Sequence, residues 1–173
     1  MKKVNLLLFF LLALAYSFGQ TTVPNDPAKG SEVDLAERTE FDSIKFSIKA
    51  PLHFVQQDTG FFGFLHPTAG ASIAIIPILY RSYINAGEEY ATGDFAASNS
   101  KLMASEKLIL NNGKEAYLYR VHFSVQNTIV ERLVCFVGTE RKTYMVIANF
   151  PAMLGPLIGP VMRASILSIE FED

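Results

Sequence analysis

The chain has one cysteine, Cys135, and three histidines in 173 residues. A lone cysteine excludes an internal disulfide, so the fold must hold through its core whatever the redox state of its compartment. The histidines, His53, His66 and His122, show no His-x-x-x-His spacing, and no second cysteine is available for a zinc motif. Basic residues are not in surplus: 15 Lys and Arg face 17 Asp and Glu, for a formal net charge of −2. Proteins that hold phosphate backbones or anionic lipid carry a positive field, so no nucleic-acid partner is expected. Only 18% of residues are charged and 50% are hydrophobic, which rules out a disordered tail, a collagen-like chain and a charged linker. There is no Gly-x-Ser-x-Gly elbow. The segments Gly60-Phe61-Phe62-Gly63 and Gly155-Pro156 to Gly159-Pro160 lack the Lys-Ser/Thr end of a phosphate loop. No acid, base and nucleophile set emerges, so no catalytic residue, metal ligand or cofactor is assigned. A hydrolase or a metal site survives only as a third alternative, the latter built from His53, His66 and Asp58 at strand–loop junctions.

The N-terminus is more informative. Lys2 and Lys3 precede an unbroken apolar run from Leu6 to Tyr16, followed by Ser17-Phe18-Gly19. This is the pattern of a secretory signal peptide, placed at residues 1–19. The run is too short for a membrane span, which takes about 20 apolar residues, so no transmembrane segment is expected in the mature chain. No cysteine lies near the cut, which excludes a lipid-anchored bacterial N-terminus. The expected location is periplasmic or extracellular. Residues 20–40 contain Pro24, Pro27, Gly30 and several charges, and read as a flexible linker.

From residue 41 to 173 the pattern is that of one α+β domain. Ile44, Phe46 and Ile48 alternate with polar residues and stop at Pro51. The runs Gly60–Pro67 and Ser72–Ile78 are apolar on both sides, as strands covered on both faces are. Pro77 lacks a ladder donor and marks a strand end or an edge. Thr92–Met103 offers the best helical stretch, capped by Thr92 or Asp94, with Gly87 and Gly93 as breakers. Glu106–Leu110, Lys114–Gln126, Ile129–Val137 and Thr143–Phe150 then form a meander, with Asn111-Asn112-Gly113 as its first turn. In the second of these strands Tyr117, Tyr119, Val121, Phe123 and Val125 share a face. Glu131 and Arg132 point to opposite faces of theirs. Cys135 reads as a small buried hydrophobe. A terminal helix is expected from Pro160, after an apolar run, 152–169, whose single charge is Arg163. The expected architecture is a central antiparallel sheet of about six or seven strands flanked by helices.

The order of these elements resembles the PsbP-like family, which includes the Ran-binding Mog proteins, the bacterial DcrB-like exported proteins and the extrinsic photosystem subunit. The resemblance rests on Phe46-Ser47-Ile48-Lys49-Ala50-Pro51, on Asn112-Gly113-Lys114-Glu115-Ala116, on Tyr144–Pro151, and on Ile166-Leu167-Ser168-Ile169-Glu170-Phe171. Many relatives have a tryptophan after the strand-ending proline, whereas this chain has Leu52-His53-Phe54 there and no tryptophan at all. The resemblance implies a non-catalytic binding or assembly module, here with an envelope protein as partner. Leu154, Leu157 and Ile158 are the candidate docking patch. The alternative is a carrier of a small apolar ligand or lipid, with Phe61, Phe62, Phe64 and Leu65 lining its pocket.

Overall fold

The computed structural model describes residues 33–57 and 61–172. The expected signal peptide, residues 20–32 of the expected linker, and Asp58 lie outside them. Where a linker was expected up to residue 40, Leu35–Phe41 instead forms strand β1, paired antiparallel with β2, Phe46–Pro51. Composition conceals this strand, because LAERTEF holds few large apolar residues. Its extended state comes from the neighbour it pairs with. Arg38 anchors it: Nη1 donates to Ser47 Oγ at 3.1 Å and to the Ser168 carbonyl at 2.8 Å, and Nη2 meets Glu170 at 2.7 Å.

The remaining strands are β3 (Val55–Gln56), β4 (Phe62–Leu65), β5 (Ser72–Leu79), β6 (Ser100–Ile109), β7 (Glu115–Val125), β8 (Thr128–Gly138), β9 (Lys142–Pro151) and β10 (Glu170–Phe171). They make a seven-stranded antiparallel sheet in the order β3-β4-β5-β9-β8-β7-β6, and a three-stranded sheet in the order β1-β2-β10. The α+β class and the central antiparallel sheet are as the sequence predicts. The opening strand, β2, belongs to the smaller sheet, with Phe46, Ile48 and Ala50 buried against the larger one. Pro77 lies on β5 beyond the reach of β4, which pairs only with Ser72–Ile75, so its missing N–H falls where β5 has a neighbour on one side only.

Helix α1 spans Tyr83–Ala91 and starts at Ser82, whose Oγ accepts from the Ile84 amide at 3.2 Å. The helix expected over Thr92–Met103 is therefore one element too late. Asp94 does accept the Ala97 amide at 3.1 Å, but only a single 3₁₀ turn, Ala96–Ser98, follows. Ser98 and Ser100 hydroxyls both donate to the Phe95 carbonyl, at 3.0 and 2.9 Å, diverting the backbone from helix. Asn99 then turns left-handed (φ 50°) and the chain enters β6. Gly87 is no breaker. It lies inside α1 because a Cβ there would come within 3.2 Å of Tyr117 Cγ and of Tyr119 Oη. The close approach lets Tyr119 Oη donate to the Gly87 carbonyl at 2.8 Å.

Helix α2 spans Gly155–Leu167, five residues earlier than the expected start at Pro160, with Pro156 in its first turn and Pro160 inside it. Met162 and Ile166 are fully buried on its inner face. The apolar run is thus an amphipathic packed helix, and among the described residues no helix is long and apolar enough to cross a membrane. The large sheet is covered on both faces. The small sheet and α2 lie on one side over Val137, Tyr144, Val146 and Phe150; α1 lies on the other over Tyr119, Val134, Phe136 and Ile147. Strand β6 forms one margin of the large sheet and is mostly exposed, with a bulge between Leu102 and Ala104. Arg163 of α2 clamps it through both oxygens of Glu106, at 2.5 and 2.9 Å.

Candidate functional site

The α1 face of the sheet is where cover runs short. Helix α1 has nine residues, about 13 Å of rod, against strands of up to eleven. The register places Ser72 on β5 opposite Asn149 on β9, Asn149 opposite Arg132 on β8, and Arg132 opposite Val121 on β7. This row lies beyond the part of the sheet that Ala86 seals. It is hydrogen-bonded across the strands: Asn149 Nδ2 donates to Ser72 Oγ at 3.4 Å, and Arg132 Nε donates to Asn149 Oδ1 at 2.7 Å. Asn149 is 1% exposed, so the acceptor that orients the guanidinium is itself fixed.

Between this row, α1 and the 93–100 turn runs an open cleft of about 420 Å³. Tyr90, Phe95, Phe123 and Phe136 give it aromatic walls. Tyr90 holds this wall together, with ring centroids 5.4 Å from Phe95 and 5.4 Å from Phe136. The Arg132 guanidinium lies over the Phe123 ring, 4.4 Å from its centroid. Ile78 also lines the cleft, six register positions along β5 from Ser72, or roughly 20 Å of strand. At the rim, Arg81 and Glu89 form an ion pair. Burial pushes the pKa of Arg132 down, with Tyr90 acting the other way; arginine starts so high that it stays charged at neutral pH. Burial pushes the Tyr90 hydroxyl up, so it remains protonated. The lining has no histidine or cysteine among the described residues. What it offers chemically is an apolar trough with one fixed cation.

The four residues expected to line a pocket are not among those that line this cleft. Phe64 is 2% exposed and packs edge-on against Phe41 at 5.8 Å; Phe62 meets the same ring at 5.7 Å. Both support the core on the opposite side of the sheet from the cleft. Leu65 is half-buried at the end of β4, and Phe61 is exposed just before that strand. The expected docking trio also divides. Leu157 is 67% exposed, with Met153 nearby at 83%, whereas Ile158 packs on the main core and Leu154 is half-buried.

His66 is a structural residue: its Nδ1 accepts the Ala69 amide at 3.0 Å and the Thr68 amide at 3.3 Å, and its ring meets Phe54 edge-on. Burial, then the neighbouring His53, lower its pKa. No group of three metal-ligating side chains occurs among the described residues. His122 lies against Glu131 at 3.0 Å on the face away from the cleft. Cys135 is wholly buried. The residues missed in the sequence are Arg132 and Asn149. One signal was present: Val130, Val134 and Phe136 are apolar at the alternate positions of β8, and Arg132 interrupts them.

No family model matches the chain, and no curated protein matches it. Solved structures do. The cyanobacterial PsbP protein CyanoP from Synechocystis sp. PCC 6803 superposes with a TM-score of 0.58 at 11% identity, covering 86% of this chain and 98% of that one. A Bacteroides thetaiotaomicron protein aligns with a TM-score of 0.53 at 13% identity, over 79% of this chain and 48% of its own. A Pseudomonas aeruginosa protein of unknown function gives 0.53 at 12% identity, over 81% and 99%. At these identities the likeness is one of fold: the chain has a PsbP-like fold.

Proposed function

We propose that this chain is an exported, non-catalytic binding module whose ligand is a small, largely apolar molecule held in the cleft beside α1. The observation that carries the reading is the cleft itself. Its volume of about 420 Å³ is in the range of small-molecule sites, roughly 300–1,000 Å³, and its walls are aromatic. Export is supported by the Met1–Gly19 pattern. A binding role without chemistry is supported by the serines and the rim charges of the cleft, which are already engaged with groups of the chain itself. Ser98 and Ser100 donate to Phe95, and Arg81 is paired with Glu89.

The test uses the neutral fluorophore N-phenyl-1-naphthylamine, whose emission rises in apolar surroundings. The wild-type chain should enhance it saturably. Ile78→Trp adds bulk to the lining and should abolish the enhancement while leaving the unfolding midpoint within a few degrees. Undiminished binding by the variant would remove the cleft from consideration. A second reading, docking of an envelope protein, draws on the exposure of Leu157 and Met153 on one flank of α2. Loss of a co-purifying protein on Leu157→Ser, with stability unchanged, would favour that reading over the first.

A further inference from the structure

Arg132 stands apart from the other arginines. Arg38, Arg81 and Arg163 each pair with a carboxylate, and Arg120 and Arg141 lie exposed in solvent. Arg132 is set into the sheet face, half-buried, and among the described residues no carboxylate meets it. Only its Nε is bonded, to Asn149 Oδ1 at 2.7 Å. No buried side-chain nitrogen or oxygen among the described residues lacks a partner, so the unbonded Nη1 and Nη2 are not sealed from solvent, and the residue that carries them lines the cleft. Stacking on Phe123 at 4.4 Å fixes the guanidinium plane, and the Asn149 bond fixes its rotation in that plane. What remains free is the two-nitrogen edge that matches a carboxylate in bidentate fashion.

The rest of the cleft narrows the choice. Its acidic residues are already occupied, Glu89 with Arg81 and Asp94 with the Ala97 amide at 3.1 Å. The lining has no lysine and no second unpaired arginine, so it offers one positive charge, which matches a monoanion better than a dianionic phosphate or sulfate. Ile78 and the aromatic wall extend the cleft along the strands away from Arg132.

We propose that the ligand is a single-chain amphiphile bearing one carboxylate, which seats on Nη1 and Nη2 of Arg132 while its apolar chain lies along Tyr90 and Phe136 towards Ile78. The inference rests on the cleft being the binding site and adds the chemical class of what fills it. A half-buried cation with no carboxylate beside it leaves a partner's charge to be supplied from outside, and the fixed fork gives discrimination that apolar contact alone cannot.

The experiment compares decanoate with 1-decanol by isothermal titration calorimetry on the full chain. They share a ten-carbon chain and differ in the head. Wild type should bind decanoate roughly tenfold to a hundredfold more tightly than decanol, as charge-assisted hydrogen bonds discriminate. Arg132→Met keeps the apolar stem and should bring decanoate down to decanol's affinity, leaving decanol unchanged. Asn149→Asp serves as a second variant of equal volume. It places an internal carboxylate on Arg132 and should weaken decanoate alone. Equal wild-type affinities for the two probes would overturn the carboxylate assignment and leave the apolar cleft standing. Binding of neither probe by the folded chain would overturn both. The wild-type comparison decides even where a variant fails to fold.

Discussion

Cys135 is 0% exposed on β8, and burial pushes its thiol up from an ordinary value of 9.0 to about 12. The folded state therefore keeps a proton that the unfolded chain gives up first. Between about pH 9 and 12 this thiol should cost the fold about 1.4 kcal/mol per pH unit, and below pH 9 it should cost nothing. Urea unfolding of wild type and Cys135→Ala across pH 8–10.5 checks this. The buried tyrosines are common to both proteins, so the difference in slope is the thiol's; parallel curves would sink the argument. At this scale the sequence was legible where a residue's own character decides. A single apolar-flanked cysteine had to be core, and the alternation of β7 put Tyr119 and Val121 on one face, where they are. Alternation sets Arg132 and Glu131 on opposite faces but does not single Arg132 out, because its importance comes from Asn149, a residue of another strand seventeen positions on. Register supplies that neighbour, and one-dimensional alternation does not.

Among elements, α2 is the informative case. Its 152–169 lead-in and helix read as a single apolar run, in which core and surface residues cannot be told apart until the helix phase is known. Leu157 faces solvent at 67% exposure, and Ile158, one residue on, packs against the main core. Leu157→Ser should move unfolding stability by less than about 0.5 kcal/mol. Ile158→Ser should cost about 1–3 kcal/mol, through lost burial and a hydroxyl against apolar neighbours. Equal effects from the two in urea denaturation would mean that the helix phase is wrong. The other elements divide by the same logic. Strands β7, β8 and β9 were read to within a residue or two because each is an apolar-rich run of strand-forming residues bounded by turn residues such as Asn112-Gly113. Strand β1 and helix α1 were not, since each is made by what it packs on. Pairing with β2 extends LAERTEF, and the Gly87 contact with Tyr117 and Tyr119 seats a helix whose sequence alone is indifferent.

The whole molecule is a three-layer body in which β1 closes one flank. Phe41 at its end is 6% exposed and touches both Phe62 and Phe64. A chain beginning at Phe41 would keep that ring but lose the strand that holds it and the Arg38 tie to Ser168 and Glu170. Its Tm should fall by about 4–8 °C relative to a chain beginning at Val33, on the order of 2 kcal/mol for a domain of this size. An unchanged Tm would show that β1 contributes nothing to the fold's integrity. At this scale the sheet order was largely readable from the hairpins, but the split into two sheets was not, since nothing local tells β2 which partner it will meet. The opposite flank has a different consequence. Strand β6 presents ten residues of backbone with no neighbour on its outer side among the described residues, the arrangement that lets one molecule begin to add to the next. Its bulge at Leu102–Ala104, together with the charges of Lys101, Glu106 and Lys107, works as insulation against edge-to-edge polymerisation. In a crowded compartment, that insulation keeps a stable sheet from becoming the seed of a fibre.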